Sequence, residues 1–237
     1  MNAYRSFDVS SWKSFRSWSN ISHFIFSIWF VLFVVHVPVF PYVVATGMLS
    51  FMILWLIHFD DLKKFKPLAG YANLITLIRL IIVLVIGFWY IQLSDITIFI
   101  MGLTAVLLDA IDGYVAKKYH QQSEFGRHFD MEADAFYVLM ITCILYLKDF
   151  FDLWIVVLGF LPHLYGVFIY LMGVADKEPK KAKFRTRIAG LFFIAILMPF
   201  VLDFRFYYPV MIVAVILLLA SFLASFIMII GSIRKET

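Results

Sequence analysis

Apolar residues occur along this chain in eight runs, separated by short polar segments. A bilayer core of about 30 Å is crossed by about 20 apolar residues in helical conformation. Because only a helix satisfies every backbone hydrogen bond within such a run, the pattern predicts an all-α, polytopic membrane helical bundle. The runs occupy residues 21–40, 42–58, 73–92, 96–116, 129–147, 153–174, 187–202 and 208–231.

Polar segments divide these runs into an N-terminal pair and a group of six. Because His36, Pro38 and Pro41 crowd the end of the first run, a re-entrant hairpin over 21–58 is the alternative to two full spans. Pro67 and Gly70 interrupt helix between the two groups. We therefore expect an interfacial cytoplasmic segment at 1–20, a two-span extension at 21–58, a cytoplasmic linker at 59–72 and a six-span core at 73–237.

Composition and charge support a membrane protein and give its orientation. The chain is 63% hydrophobic and only 15% charged, more apolar than a soluble domain of this size requires. With the N-terminus inside, all but three of the 20 basic residues (Arg79, Lys148 and Arg205) fall on the cytoplasmic side. Both termini are expected in the cytoplasm, and we expect no nucleic-acid partner.

Four aspartates stand out against this apolar background. Asp109 and Asp112 share one helix face at the end of the fourth run, and Asp130 and Asp134 share one face at the start of the fifth. The polar hairpin at 117–128 should make the two helices antiparallel neighbours. The four carboxylates are therefore expected to converge at cytoplasmic depth.

Such a cluster is costly in a membrane without a cation. At roughly 2.5–3.5 kcal/mol per aspartate at a helix centre, four would cost about 10 kcal/mol. All-oxygen ligation suits Mg²⁺ or Mn²⁺, and two divalent ions would balance four negative charges. The alternative is a pair of helix ends whose acids face cytoplasmic water.

Small residues accompany the aspartates. Gly113 and Ala116 follow Asp112 on nearly the same face, and Gly126 lies one turn before Asp130. Missing side chains leave room for a flat or bulky group against the backbone. Close packing between helices is the alternative interpretation, and both can hold.

The stretch from Asp109 to Asp134 reads D-x2-D-G-x2-A-K-x8-G-x3-D-x3-D. This pattern resembles the signature of the CDP-alcohol phosphotransferases (CDP-alcohol phosphatidyltransferases), integral membrane enzymes of phospholipid synthesis. Upstream, "YANLITLIRL" at 71–80 is similar to the N-x2-T-x2-R motif of that family, and "KKAKFRTRIAG" at 180–190 is similar to its later basic stretch. The resemblance covers about residues 73–231.

The resemblance implies six helices around a polar cavity open to the cytoplasm, usually in a homodimer. It implies two divalent ions held by the first three aspartates and shared with Asp134, which would also act as general base. Lys117 stands where the family usually has arginine, so it keeps the charge but loses the two-pronged contact with a diphosphate. The residues implied in nucleotide and diphosphate binding are Asn73, Thr76, Gly113, Ala116, Lys117 and Gly126.

The expected reaction transfers a phosphatidyl group from CDP-diacylglycerol to a small polar alcohol and releases CMP. Arg185 and Arg187 adjoin an apolar run and Arg79 lies within one, so we expect these three to bind the acceptor. Inward arginines favour a phosphate-bearing acceptor, with glycerol 3-phosphate preferred. Serine, inositol phosphate, or CDP-choline or CDP-ethanolamine with diacylglycerol remain open. We expect a bacterial inner (plasma) membrane location, with the site facing the cytoplasm.

Several other interpretations stay open. Arg79 can instead form an ion pair with one of the aspartates, and the basic residues at 177–187 can serve topology and bind anionic headgroups. His163, next to Pro162, is a weaker candidate ligand, because a lone histidine in a kinked helix usually bonds a neighbouring carbonyl. A cation or proton transporter would scatter its acids through the membrane, and an inactive scaffold would tolerate loss of an aspartate.

Overall fold

The computed structural model describes the backbone of residues 9–65, 67–173 and 183–233, and the side chains of 13–65, 67–173, 188–224 and 226–227. Within these residues the chain is all-helical and contains no β-strand. A short 3₁₀ helix at Met198–Phe200 follows the eighth helix. The α-helices are α1 Val9–Val34, α2 Phe40–Ile57, α3 Phe59–Leu62, α4 Tyr71–Trp89, α5 Asp95–Lys118, α6 Glu124–Leu147, α7 Trp154–Leu171, α8 Lys183–Ala195 and α9 Phe204–Ile233.

The all-α membrane class is confirmed, and each predicted run falls on a helix. Among the described residues six helices are long and apolar enough to cross a membrane: α1, α2, α4, α5, α7 and α9. The fifth run lies in α6, which has 24 residues but carries acids in its first half. The seventh run gives only the shorter apolar stretch Ile188–Phe200. The count of eight spans therefore stays a prediction.

The N-terminal pair consists of two separate helices. α1 runs unbroken from Val9, so residues 9–20 continue directly into the first predicted span. The chain turns between Val34 and Phe40, where His36 adopts a positive φ of 61°. The Trp18 indole donates a hydrogen bond to the Ser50 carbonyl at 2.8 Å, which joins α1 to α2. α1 also packs along α7, and α2 packs against α4 and α6.

The central helix of the bundle is α6. Every residue from 136 to 145 is buried, so this half of the helix is enclosed on all sides. α6 packs mainly against α7 and α4, while α5 packs mainly against α4. The acidic first half of α6 consequently lies beside the first half of α4.

The turn between α5 and α6 is tied to the beginning of α4. The Tyr71 backbone N–H donates to Gln121 Oε1 at 2.8 Å. Gly70, directly before α4, has a φ of +81°, and a Cβ there would lie 3.0 Å from the same Gln121 oxygen. Glycine therefore meets both a conformational and a steric requirement at this position. Ser123 caps α6 by accepting a hydrogen bond from the Gly126 N–H at 3.0 Å.

The segment between α2 and α4 buries a histidine. His58 is 1% exposed, and its ring lies 5.4 Å from that of Phe125. Burial lowers the pKa of His58 below its ordinary 6.5, and the hydrogen bond and charge of Asp61 offset this only in part. The unfolded chain therefore binds this proton more readily than the folded one. The contribution of neutral His58 to the free energy of unfolding is fully present above about pH 6.5, and it decreases as the pH falls below this value.

We expect the thermal midpoint of the purified protein to fall between about pH 7.5 and about pH 5.5 by more than that of His58→Gln. The measurement is thermal unfolding in detergent across this range. Parallel pH profiles for the two proteins would contradict the assignment to His58.

Candidate functional site

The guanidinium of Arg79 lies at the centre of the four aspartates. Arg79 is 2% exposed, and its guanidinium contacts all four carboxylates. Nη1 bonds Asp109 Oδ1 and lies 4.0 Å from Asp112 Oδ2. Nη2 lies 2.7 Å from Asp130 Oδ1 and 3.3 Å from Asp134 Oδ1. Arg79 therefore forms the ion pair that the sequence offered as an alternative to acceptor binding. It pairs with all four aspartates, whereas the sequence suggested one.

Three helix ends bring these groups to one depth. Arg79 is eight residues inside α4, Asp109 nine residues before the end of α5, and Asp134 ten residues inside α6. At 1.5 Å per residue, the five charged groups lie about 9 to 15 Å from helix ends on the same side of the bundle. The convergence expected from spacing is therefore present in the fold.

The relation between α5 and α6 differs from the expectation. The sequence predicted antiparallel neighbours, but the described helices make few close backbone approaches to each other, and each packs against α4 instead. The connecting turn is also shorter than predicted, because α6 begins at Glu124. Separation of the two helices leaves room for the carboxylates and for Arg79 between them.

The aspartates fit a divalent cation. Carboxylate oxygens of Asp109, Asp112 and Asp130 lie within 4.8 Å of one another. Opposite ligand atoms of Mg²⁺ are about 4.2 Å apart, so small side-chain adjustments would bring all three to one ion. Asp112 is the most buried of the four, and Thr76 Oγ1 donates to its Oδ2 at 2.9 Å. The candidate metal ligands are all carboxylate oxygens, which Mg²⁺ and Mn²⁺ prefer.

The small residues have two different surroundings. A Cβ at Gly126 would lie 2.7 Å from Asn73 Oδ1, so this glycine permits close packing of α6 on α4. Asn73 itself donates to the Ala69 carbonyl at 2.8 Å. A Cβ at Gly113 would meet nothing within 4 Å, so the α5 backbone there faces open space. Packing therefore explains Gly126, whereas Gly113 leaves room for a ligand.

The remaining predicted site residues lie at the end of α5, or their side chains lie outside the described residues. Lys117 is exposed at the end of α5, and Ala116 beside it is half-buried. The backbone of Arg185 and Arg187 belongs to α8, but their side chains lie outside the described residues. Their predicted contact with an acceptor therefore stays a prediction.

Apolar and aromatic side chains form the inner wall of the site. Ala105, Val106, Tyr137 and Phe193 line a small pocket together with Arg79, Asp109 and Asp134. The Tyr137 hydroxyl donates to the Phe193 carbonyl at 3.4 Å, which links α6 to α8. Sequence reasoning missed Tyr137 and Phe193, because each stands in an apolar run and cannot be told there from an ordinary core residue. The position of Tyr137 one turn after Asp134 is a signal that could have indicated it.

Comparison with protein families supports the interpretation of this geometry. The family model of CDP-alcohol phosphatidyltransferase matches residues 70–231. The match begins directly before α4 and includes Arg79 and all four aspartates, while α1, α2 and α3 lie outside it. Comparison with curated proteins and with solved structures gave no match. The chain belongs to the CDP-alcohol phosphatidyltransferase family.

Proposed function

We propose that this enzyme transfers the phosphatidyl group of CDP-diacylglycerol to a small polar alcohol, with glycerol 3-phosphate as the preferred acceptor. The acceptor hydroxyl attacks the phosphorus that bears the diacylglycerol, and the bond from that phosphorus to the CMP oxygen breaks. The hydroxyl proton passes to the enzyme and CMP leaves. The family supports the general activity. The observation that carries the proposal is the meeting of four aspartates from α5 and α6 around Arg79.

Enzymes of this family generally depend on a divalent metal. In our proposal Asp109, Asp112 and Asp130 hold Mg²⁺ or Mn²⁺, and Asp134 shares a second ion. Bound at the diphosphate, the ions would neutralise charge that develops on the leaving CMP. The four carboxylates and the Arg79 guanidinium together carry a net charge of −3. This negative charge favours the binding of cations, although Arg79 occupies the centre of the cluster. Thr76 orients Asp112 by its hydrogen bond.

Asp134 is the proposed general base. Its side chain is 29% exposed and borders the pocket beside Arg79. The Arg79 guanidinium lies 3.3 Å from its Oδ1. The nucleotide is proposed to lie against the α5 backbone at Gly113, which faces open space, and at Ala116, with Asn73, Thr76 and Gly126 forming the adjoining wall. Lys117 would contact the diphosphate as a point charge.

The acceptor site is proposed to involve Arg79 together with Arg185 and Arg187. Phosphate recognition by arginine forms short, charge-assisted hydrogen bonds, which is why a phosphate-bearing alcohol is preferred over serine. We further propose that the protein is a homodimer in a bacterial inner membrane, with the acidic site facing the cytoplasm. Placement of nearly all basic residues on that side supports the orientation.

The direct experiment is a panel of acceptor alcohols with purified protein, radiolabelled CDP-diacylglycerol and Mg²⁺. We expect CMP release that requires both metal and acceptor, fastest with glycerol 3-phosphate. Faster release with serine or inositol phosphate would change the acceptor but keep the reaction. Absence of CMP release with every acceptor would favour the transporter or the inactive scaffold.

Substitution of Asp134 by asparagine tests the proposed base. We expect kcat to fall about 10²- to 10⁴-fold, because the hydroxyl proton loses its acceptor. The KM for the acceptor should change little. The measurement is the initial rate of CMP release, with Asp149→Asn as the matched control, since Asp149 is exposed beyond the other end of α6. Unchanged turnover in Asp134→Asn would remove the base assignment.

A further inference from the structure

A second cluster of metal-ligating side chains lies outside the acidic site. His23 of α1, Glu132 of α6 and His163 of α7 place ligand atoms within 4.8 Å of one another. The two Nδ1 atoms of the histidines are 3.2 Å apart, and His23 Nε2 lies 3.7 Å from Glu132 Oε1. Glu132 stands between Asp130 and Asp134 in the chain, but two residues turn it to roughly the opposite face of α6. The cluster therefore faces away from the four aspartates.

The spacing of the histidines fits tetrahedral coordination. Zinc binds imidazole nitrogen at about 2.0–2.1 Å, which places two nitrogens of a tetrahedron about 3.3 Å apart. The observed separation of 3.2 Å is close to that value. Two imidazoles and one carboxylate form a mixed nitrogen and oxygen set, which suits zinc and related ions better than Mg²⁺. The two clusters thus differ in the chemistry of the ion they would take.

The surroundings of the cluster are built to hold these side chains. His163 is 2% exposed, so its ring is held in place by the surrounding helices. Its Nδ1 faces His23, where the sequence had suggested a neighbouring carbonyl. His23 and Glu132 are only 15% and 13% exposed. A carboxylate enclosed among membrane helices is costly unless a cation accompanies it.

Two further residues shape the site. Ser19 Oγ donates to Glu132 Oε1 at 2.7 Å and lies 3.2 Å from His23 Nε2, as an outer-shell group that orients metal ligands would. A Cβ at Gly166 would collide with the His23 ring. A glycine at this position of α7 therefore lets the His23 ring reach the cluster.

We propose that His23, Glu132 and His163 bind a zinc-type transition-metal ion, with a fourth position left for water. The ion joins α1 to α6 and α7. It thereby fixes the N-terminal helix, which lies outside the family match, to the helix that carries Asp130 and Asp134. The proposed effect of the ion is to hold these helices together, and it is independent of the acceptor and of the metals proposed for the reaction.

The test is zinc content of the full-length protein in detergent after equilibration with Zn²⁺ and excess Mg²⁺. We expect about one zinc ion per chain in the wild type and in Asp112→Asn, and its loss in His23→Gln and His163→Gln. Ser19→Ala should keep the site but bind about 10- to 100-fold more weakly. His36→Asn is the matched histidine control, because His36 is exposed in the turn between α1 and α2, and it should retain the ion.

A spectrum of the Co²⁺-substituted wild type serves as a measurement that needs no variant. We expect the intense visible absorption of tetrahedral cobalt, and its displacement by zinc. Wild-type protein that holds no zinc, or zinc retained equally in the His23→Gln, His163→Gln double variant, would overturn the proposal. Loss of zinc in Asp112→Asn with retention in the double variant would also overturn it, because the ion would then belong to the acidic site.

Discussion

Replacing Asp112 with asparagine is expected to lower the rate of CMP release at least about 10³-fold. Asparagine keeps the shape of the side chain and can still accept the hydrogen bond from Thr76. It removes one negative charge from the oxygen cluster that Asp112 forms with Asp109 and Asp130. Loss of about 4 kcal/mol of metal-assisted transition-state stabilisation corresponds to this factor. The measurement is metal-dependent CMP release from CDP-diacylglycerol at saturating acceptor.

Asp149→Asn is again the matched control for Asp112→Asn. It makes the same chemical change at an exposed position with a positive φ of 59°, a backbone conformation that asparagine tolerates. We expect its activity to equal that of the wild type. Similar activity in Asp112→Asn and Asp149→Asn would contradict a catalytic role for the acidic cluster.

Replacing Arg79 with methionine is expected to lower the free energy of unfolding of the metal-free protein by about 3–5 kcal/mol. Arg79 is buried and contacts all four carboxylates, so its removal leaves them to repel one another. Saturating Mg²⁺ should reduce this loss, because the cations neutralise the same carboxylates. The measurement is thermal unfolding in detergent with EDTA and with Mg²⁺.

Lys148→Met provides the comparison for Arg79→Met. Lys148 pairs with Asp95 at 2.7 Å, but the two side chains are 21% and 44% exposed. A pair this accessible is worth at most about 1 kcal/mol, and Mg²⁺ should leave its effect unchanged. An Arg79→Met variant that loses no more stability than Lys148→Met, with or without Mg²⁺, would contradict the central position of Arg79.

Helix class could be predicted because it follows from local periodicity, which also places each pair of aspartates on one helix face. The meeting of the two pairs was predicted from α5 and α6 as neighbours, whereas the structure brings the pairs together because both helices pack against α4. Apolar runs specify helices, and spacings of three and four residues place Asp109 with Asp112 and Asp130 with Asp134 on single faces. The contacts of Arg79 were harder to predict from the sequence, because they join residues 30 or more positions apart. Counting Arg79 changes the charge of the site from four negative charges to three.

Contacts between distant helices account for what the sequence did not indicate. His23 and His163 are 140 positions apart, and each alone resembles an isolated histidine in an apolar helix. The beginning of α6 was misplaced for a different reason. Glu124, Arg127 and His128 suggested a loop by their polarity, but they lie in the first turns of a helix that Ser123 caps and that buries Phe125.

The most direct test of the account is the number of Mn²⁺ ions bound per chain, counted by electron paramagnetic resonance in the presence of CDP-diacylglycerol. The account predicts about two ions in the wild type, displaced by Mg²⁺, and loss of at least one in Asp112→Asn. Equal Mn²⁺ binding by the wild type and Asp112→Asn, or no binding by either, would contradict it.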